Sequence, residues 1–259
     1  MSLRRRQRLG KYRIECRLSD SDFATVYRAH DTIEGIDVAL KLPHAALVDR
    51  ATLAAFRKEA RTAARLDHPN ILTIKTAEEI DGHFVIVTPL GVEDLGTRMQ
   101  RRMSATTALD LAEQLLQGLA EAHEQKVIHL DVKPQNAILF PRGRLRLADF
   151  GIARVALRTL VGSGSGTVGY IAPEQALGQP SMRSDVFSAG LVIWQLMTKQ
   201  LPKWPFDWPH PGVARARREF GDDLAAVCRR ATEVREHRRF ADAGRMLVAF
   251  ERARTRSGL

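Results

Sequence analysis

The sequence predicts an α+β chain of two unequal lobes, with a small sheet-rich lobe at 11–90 and a larger, mostly helical lobe at 91–259. A basic tail is expected at 1–10. Strand-like segments crowd the first part of the chain around one helical pattern, and helical patterns dominate after Gly91. The hydrophobic content of 44% is enough for a packed core. We therefore expect a single domain with its joint near 88–91.

The small lobe is predicted as a meander, one helix and a hairpin. Three strands that mix β-branched and aromatic residues with polar ones are expected at 12–19, 24–31 and 37–43. The segment 51–66 is rich in helix formers and places its apolar residues on one face. Two further strands, within ILTIKTAEE and HFVIVTPL, flank Asp81 and Gly82, which favour a tight turn.

The large lobe is predicted as a set of helices. The segment 107–125 carries one apolar stripe, and 184–197 is apolar on nearly every side, so the second helix must be buried. Further helices are expected near 222–234 and 241–255. The stretch between 197 and 222 is short and rich in proline, and a helix in it is expected to be reduced or missing.

Composition restricts the classes of function. Cys16 and Cys228 are far apart and form no CxxC or His/Cys cluster, so neither a disulfide framework nor a zinc site is indicated. A reducing, cytoplasmic location fits best. The longest apolar run, 189–197, is about half of the length that a membrane span requires. We therefore expect a soluble chain with no membrane span.

A net charge of +10 suggests an anionic partner. The basic residues are spread along the chain and concentrate only at 4–8 and 252–256, without an interleaved aromatic stripe. This distribution argues against nucleic acid as the partner. The two basic ends are interpreted as solvated tails.

The segment HLDVKPQN, at 129–136, and the later DFG at 149–151 carry a set of polar residues that suits phosphoryl transfer. Mg²⁺ prefers oxygen ligands and uses substrate phosphates as further ligands, so Asn136 and Asp149 suit a metal site. Asp131 is then left to orient a hydroxyl or accept its proton. Lys133 would neutralise charge on the transferring group.

Two upstream residues complete this arrangement. Lys41 lies in the strand motif VALK, and Glu59 lies on the predicted helix. A strand lysine held by a helix glutamate can bind the α- and β-phosphates of a nucleotide. Downstream, GTVGYIAPE at 166–174 closes the segment that follows DFG.

In this order and spacing, the motifs resemble those of the eukaryotic-type Ser/Thr protein kinase domain of bacteria, from about Lys11 to about Phe250. The resemblance implies ATP and Mg²⁺, or Mn²⁺, as cofactors, and a protein substrate with a Ser or Thr acceptor. It implies a catalytic role for Asp131, aided by Lys133, with Asn136 and Asp149 as metal ligands.

The resemblance also implies positions for the remaining groups. Thr167 would line the substrate pocket, and the structural residues would be Glu174, paired with Arg239, and Asp185, which braces the catalytic loop. Val87 would be the gatekeeper residue. The other expected ATP-binding residues are Leu18, Val26, Ala39, Lys41, Glu59, Thr88, Leu90 and Ile138.

Two departures from the family pattern bear on activity. The phosphate-covering turn reads SDSDFA, with Ser19, Ser21 and Ala24 in place of three glycines, which predicts weakened ATP binding. Leu130 replaces the arginine that reads an activation-segment phosphate, so activity is not expected to depend on such a phosphate. The run GSGSG at 162–166 is interpreted as part of a mobile activation segment.

Two other functions stay open at the level of sequence. A pseudokinase that regulates partners is favoured by the lost glycines and opposed by the retained polar residues. A small-molecule phosphotransferase is opposed by the segment 166–174, which resembles a platform for an extended peptide. The cluster KWPFDWPHP at 203–211 fits equally a docking surface or simple packing.

Overall fold

The structure is a computed structural model that describes residues 3–21, 24–44, 60–62, 64–150 and 168–259, together with Ala54 and Arg57. It has the predicted two-lobed architecture. The small lobe contains a six-stranded antiparallel sheet in the order β1-β2-β3-β4-β6-β5. Its strands are β1 (Arg8–Leu9), β2 (Tyr12–Asp20), β3 (Ala24–Asp31), β4 (Ile36–Pro43), β5 (Thr76–Ile80) and β6 (His83–Pro89).

The meander and the hairpin form as predicted, since β2, β3 and β4 pair in sequence order and β5 pairs with β6 around Asp81 and Gly82. Ala54, Arg57 and residues 60–62 are helical, in agreement with the helix expected at 51–66. One face of the sheet packs a small apolar core around Tyr12, Tyr27 and Leu40. The other face turns towards the large lobe.

The first residues are not a solvated tail. Leu3 and Leu9 are buried in the core of the small lobe. The backbone N–H of Leu3 donates a hydrogen bond to Tyr27 Oη at 3.1 Å, and β1 pairs with β2. The prediction of a solvated basic tail at 1–10 is therefore wrong, because two apolar residues that flank the run of arginines anchor the segment to the sheet.

The large lobe contains seven helices within the described residues. They are α1 (Leu95–Met99), α2 (Ala105–Glu124), α3 (Pro173–Ala176), α4 (Met182–Thr198), α5 (Val213–Phe220), α6 (Asp222–Ala231) and α7 (Ala243–Ser257). A small sheet, β7 (Glu93–Asp94), β8 (Ala137–Phe140) and β9 (Arg144–Leu147), lies between α2 and the site. As its sequence predicts, α4 is buried on almost every side and forms the centre of the core.

The basic C-terminal segment is not a tail either. It forms the end of α7, and Arg254 places its guanidinium between Asp110 (2.5 Å) and Glu113 (2.7 Å) of α2. The sequence did not indicate this contact because the partners of Arg254 are more than a hundred residues away in the chain. Within the described part of the chain, no helix is long and apolar enough to cross a bilayer.

The proline-rich segment mostly packs onto the lobe. Trp208 lies edge-on against Trp194, with ring centroids 5.6 Å apart, and Trp194 Nε1 donates to Pro211 O at 2.8 Å. Trp204, by contrast, is 69% exposed. The helix α5, which the sequence did not predict, follows this segment over eight residues.

Candidate active site

The loop that holds the polar cluster is fixed to the central helix of the large lobe. Asp185, in the first turn of α4, is 1% exposed and accepts hydrogen bonds from the backbone N–H of His129 (2.7 Å) and of Leu130 (2.8 Å). Its carboxylate also lies 2.9 Å from His123 Nε2. Since Asp185 is held in the rigid core, the loop that begins at His129 has a fixed origin.

Three polar side chains meet within this loop. Lys133 Nζ lies 2.8 Å from Asp131 Oδ2. The side-chain amide of Asn136 donates to both the backbone oxygen and Oδ2 of Asp131, each at 2.8 Å. These bonds use the amide nitrogen of Asn136, which makes its oxygen the atom available to a cation.

Asp149 approaches this loop from the end of β9. It has a φ of 67°, a left-handed conformation that is uncommon outside glycine and places a strained residue at the site. Its Oδ1 lies 2.6 Å from Lys41 Nζ on β4. Burial by itself would raise the pKa of Asp149, but the charge and hydrogen bond of Lys41 outweigh it and hold that pKa below its usual range.

Phe150, the residue after Asp149, fixes the position of the backbone there by packing in the core. Phe150 is 1% exposed, and its ring centroid lies 4.4 Å from that of His129. Asp149 is therefore tied to the loop at 129–136 through the packing of Phe150 on His129, and to the sheet by its ion pair with Lys41. Strand β4, the loop at 129–136 and the segment that follows β9 thus meet at one place between the two lobes.

A cavity of about 370 Å³ opens between the sheet and the large lobe at this point. Leu18, Val26 and Ala39 line its upper side, and Ile138 of β8 lines its lower side. Thr88 and Leu90 lie where the chain passes between the lobes. Lys41, Asn136 and Asp149 form its polar end, so the cleft has an apolar pocket beside a charged one.

The comparison with family models decides the assignment: the protein kinase domain model matches residues 12–212. The chain belongs to the protein kinase family. Relatives among curated proteins are bacterial serine/threonine-protein kinases. The probable kinase pknA2 of Bifidobacterium longum is 32% identical over 230 residues, which cover 85% of this chain and 30% of that protein.

A second relative, the serine/threonine-protein kinase PknA of Mycobacterium tuberculosis, is 35% identical over 206 residues, covering 74% of this chain and 48% of its own length. This kinase domain thus spans about a third to a half of these relatives. Among solved structures, the PknI kinase domain of M. tuberculosis shares 25% identity, with a TM-score of 0.75. The alignment covers 98% of this chain and all of that one.

One expected residue of the kinase cleft lies elsewhere. Val87 is 1% exposed and packs in the small-lobe core on the opposite face of the sheet. It pairs with Leu40, whereas Ile86 pairs with Lys41 and Thr88 with Ala39. Because side chains alternate along a strand, Ile86 and Thr88 line the cleft and Val87 does not. The gatekeeper assignment of Val87 was therefore wrong.

Several other residues of the cleft were missed. Leu72 and Ile74 line it from an irregular stretch before β5, where no periodicity marks which side chains face inwards. Ala148 also lines it, and its backbone N–H donates to Asn136 O at 2.8 Å. Its position directly before Asp149 was the available signal.

The connection between β2 and β3, where the sequence predicts a phosphate-covering turn, is held by hydrogen bonds from its own side chains. Ser21 Oγ donates to Ala24 O at 2.9 Å and accepts from Ala24 N at 3.2 Å. Asp20 accepts from Thr25 Oγ1 (2.8 Å) and lies 3.0 Å from His44 Nε2. The Thr25 hydrogen bond, followed by that of His44, holds the pKa of Asp20 below its usual range. The hydroxyl of Ser21 is thus already engaged within the turn, and a carboxylate stays ionised there.

Away from the cleft, the expected structural ion pair is present. Arg239 is fully buried and donates to both oxygens of Glu174, at 2.7 and 2.9 Å. Its remaining donors reach three backbone carbonyls, and its guanidinium lies 4.6 Å from the ring centroid of Phe187. Three expected features, Glu59, Thr167 and the run 162–166, lie outside the described residues.

Proposed function

We propose that this chain is an ATP- and Mg²⁺-dependent protein kinase that transfers the γ-phosphoryl group to a Ser or Thr hydroxyl of a protein substrate. The observation that supports it is the convergence of Lys41, Asp131, Asn136 and Asp149 at the polar end of one cleft. A triphosphate extending from the apolar pocket would meet these groups in turn. Phosphoryl transfer needs mainly positioning and charge stabilisation, which such an arrangement supplies.

In this proposal, Asp131 orients the acceptor hydroxyl and takes its proton. The amide of Asn136 fixes the Asp131 carboxylate, and Lys133, 2.8 Å from the same oxygen, neutralises charge that builds up on the transferring group. Lys41 is proposed to bind the α- and β-phosphates, and Glu59 to hold Lys41 there. Contacts among Asp131, Lys133 and Asn136 hold these three groups in place before substrate arrives.

The cation would be held by two oxygen donors of the chain. Asn136 has its amide oxygen available, and Asp149 has a second carboxylate oxygen besides the one that meets Lys41. An amide oxygen and a carboxylate fit Mg²⁺ or Mn²⁺, which complete their coordination with water and substrate phosphates. When bound, the cation would neutralise phosphate charge during transfer.

The adenine base is proposed to lie between the apolar side chains of Leu18, Val26 and Ala39 above and Ile138 below. Backbone groups of Thr88 and Leu90 are its proposed hydrogen-bond partners. Thr167 is proposed to line the acceptor site beside Asp131.

We also propose that activity does not depend on phosphorylation of the activation segment. Leu130 is 6% exposed, with its backbone N–H bound to Asp185 and its carbonyl accepting from Gln175 Nε2 at 2.6 Å. The position before Asp131 therefore offers an apolar side chain in the core and no cation to read a phosphate.

The substrate and the location follow from smaller features. Lys133, two residues after Asp131, is typical of kinases that act on Ser and Thr, so a protein with such an acceptor is the proposed partner and nucleic acid is not. Cys16 and Cys228 are free thiols, and burial raises the pKa of Cys228 to about 12. Two unpaired thiols support a reducing, cytoplasmic setting for this domain.

The decisive experiment is a phosphoryl-transfer assay with Mg-ATP labelled at the γ position and generic protein acceptors. Labelled Ser or Thr is expected with the wild-type chain, and label should vanish for Asp149→Ala and Asp131→Asn. A parallel arm with small amino-sugar acceptors separates a protein kinase from a small-molecule phosphotransferase. Transfer only in that arm, or equal transfer by the variants, would refute the proposal.

A regulatory pseudokinase is the second candidate, and the turn at Ser19–Ser21 is the observation that favours it. That turn is closed by its own hydrogen bonds and carries the ionised Asp20 close to where phosphates would lie. Nucleotide binding without transfer, measured by thermal shift beside the same assay, would support this second function.

A further inference from the structure

The large lobe carries a basic groove that is separate from the nucleotide cleft. It is a concave surface of about 880 Å³ between the start of α4, the end of α6, the segment 237–242 and one face of α7. Five arginines and His237 line it, against a single carboxylate, Asp242. No residue of the groove lines the nucleotide cleft.

Most of this positive charge is not compensated. Arg239 is neutralised by Glu174, and Asp242 caps α7 by accepting from Arg245 N at 2.8 Å, with its other oxygen 3.8 Å from Arg245 Nε. In the described parts of the chain, no carboxylate lies within 4.0 Å of a side-chain nitrogen of Arg183, Arg230 or Arg252. Like charges gathered on one surface repel each other, and an anionic occupant would relieve this repulsion.

The groove also has an apolar base and a cation held against it. The guanidinium carbon of Arg230 lies 4.4 Å from the ring centroid of Phe240, within the range of a cation–π contact. Val248, 46% exposed, and Ala249 add apolar surface from α7. A guanidinium held in this way is suited to bidentate contact with a carboxylate.

The spacing of the arginines indicates the form of the ligand. Arg245 and Arg252 are seven residues apart on the exposed face of α7, so they lie about 10 Å apart along an axis that rises about 1.5 Å per residue. The two arginines therefore offer positive charge at two points along the groove. An extended peptide advances about 3.3 Å per residue, so acidic residues three positions apart match this spacing.

We propose that this groove binds an extended acidic segment of a partner protein. A concave surface with an apolar base fits a peptide, whereas a bilayer surface is met best by a flat or convex basic face. The groove would hold a partner away from the cleft, and its binding does not require that the cleft transfer phosphate. Failure of the proposed kinase activity would therefore leave this inference untouched.

The test is fluorescence anisotropy at about 0.1 M ionic strength, where the screening length is about 10 Å, with a labelled peptide in which every third residue is Glu, and with its Gln counterpart. The wild-type chain should bind the Glu peptide and not the Gln peptide. The variant Arg245→Glu/Arg252→Glu should bind at least about tenfold more weakly, because two charge contacts become repulsive. Arg245→Gln/Arg252→Gln, which avoids repulsion with Asp242, should also weaken binding.

A matched control is Arg4→Glu/Arg5→Glu, which changes the net charge equally at exposed positions of the small lobe. Its affinity should stay within about twofold of wild type, because charges that far away are screened by salt. Equal weakening by the control would show attraction by net charge alone and overturn the proposal. Absence of peptide binding, or binding only to vesicles containing phosphatidylserine, would overturn it as well.

Discussion

Lys41 Nζ lies 2.6 Å from Asp149 Oδ1, although the two residues are 108 positions apart in the chain. The contact joins β4 of the small lobe to the end of β9 in the large lobe, so the position of a strand cation depends on a loop carboxylate from the other lobe. The geometry of the polar end of the cleft therefore depends on how the two lobes are placed.

Replacing Lys41 with Met should reduce turnover by a factor of about 10² or more, as loss of a charge-stabilising donor commonly does. It should also raise the pKa of Asp149, because burial, which favours the neutral acid, would no longer be opposed by Lys41. Carboxyl NMR of labelled Asp149 measures this shift. Lys203→Met, at an exposed position, is the control and should change neither quantity. An unchanged pKa in Lys41→Met would contradict the account.

Restoring glycine at Ser19 and Ser21 should tighten ATP binding, because backbone N–H groups could then approach phosphate without a Cβ between them. Calorimetry of ATP binding to the Ser19→Gly/Ser21→Gly variant measures the effect. Adenosine, which lacks phosphates, serves as the control ligand and should bind both proteins alike. Unchanged or looser ATP binding would show that the Ser21 hydrogen bonds to Ala24 support the turn more than they obstruct it.

Replacing Glu174 with Gln should lower the free energy of unfolding by about 3–5 kcal/mol, because Arg239 would remain buried without its counter-charge. Burial would raise the pKa of Glu174, but Arg239 and Ser184 hold it below its usual range. The pair therefore stabilises the fold above the unfolded pKa of about 4.3, and this contribution is lost as the pH falls through the lower folded value. The stability difference between variant and wild type should narrow in acid.

The matched control for that measurement is Glu219→Gln. Glu219 pairs with Arg215 at 3.0 Å on an exposed face of α5, and its loss should cost about 1 kcal/mol or less. Urea unfolding at several pH values compares the two variants. Equal losses from both would mean that burial of the Glu174 pair adds nothing.

Alanine at Thr159, Ser163 and Ser165 should leave turnover largely intact, since Leu130 offers no cation to an activation-segment phosphate. Steady-state kinetics before and after phosphatase treatment test this on the triple variant and the wild type. A collapse of activity in either case would show that another basic group reads a phosphate.

Much of this architecture could be read from local pattern. The meander, the hairpin at Asp81 and Gly82 and the buried helix α4 each carry a periodicity that fixes the element type. The two errors at the termini have a common cause. Leu3 and Leu9 stand singly on either side of a run of arginines, and Arg254 finds its acidic partners on another helix, so neither contact leaves a periodic signal.

The prediction of the cleft residues also failed where it depended on a contact between strands. Lys41 and Ala39 were placed on the cleft side of β4, but the side chains of β6 were assigned one residue out of step. Since alternate residues face opposite sides, this shift moved Val87 from the core into the cleft. The register between β4 and β6 belongs to tertiary pairing and could not be read from either strand alone.

The family match spans residues 12–212, yet contacts that stabilise each lobe from within reach beyond those limits. A chain trimmed to 12–212 would keep Lys41, Asp131 and Asp149. It would lose Leu3 and Leu9 from the sheet and strip Arg239 from Glu174. The ends chosen for recombinant production should therefore include Leu3, Leu9 and Arg239. A shorter product would keep the polar residues of the cleft but would expose apolar core and tend to aggregate.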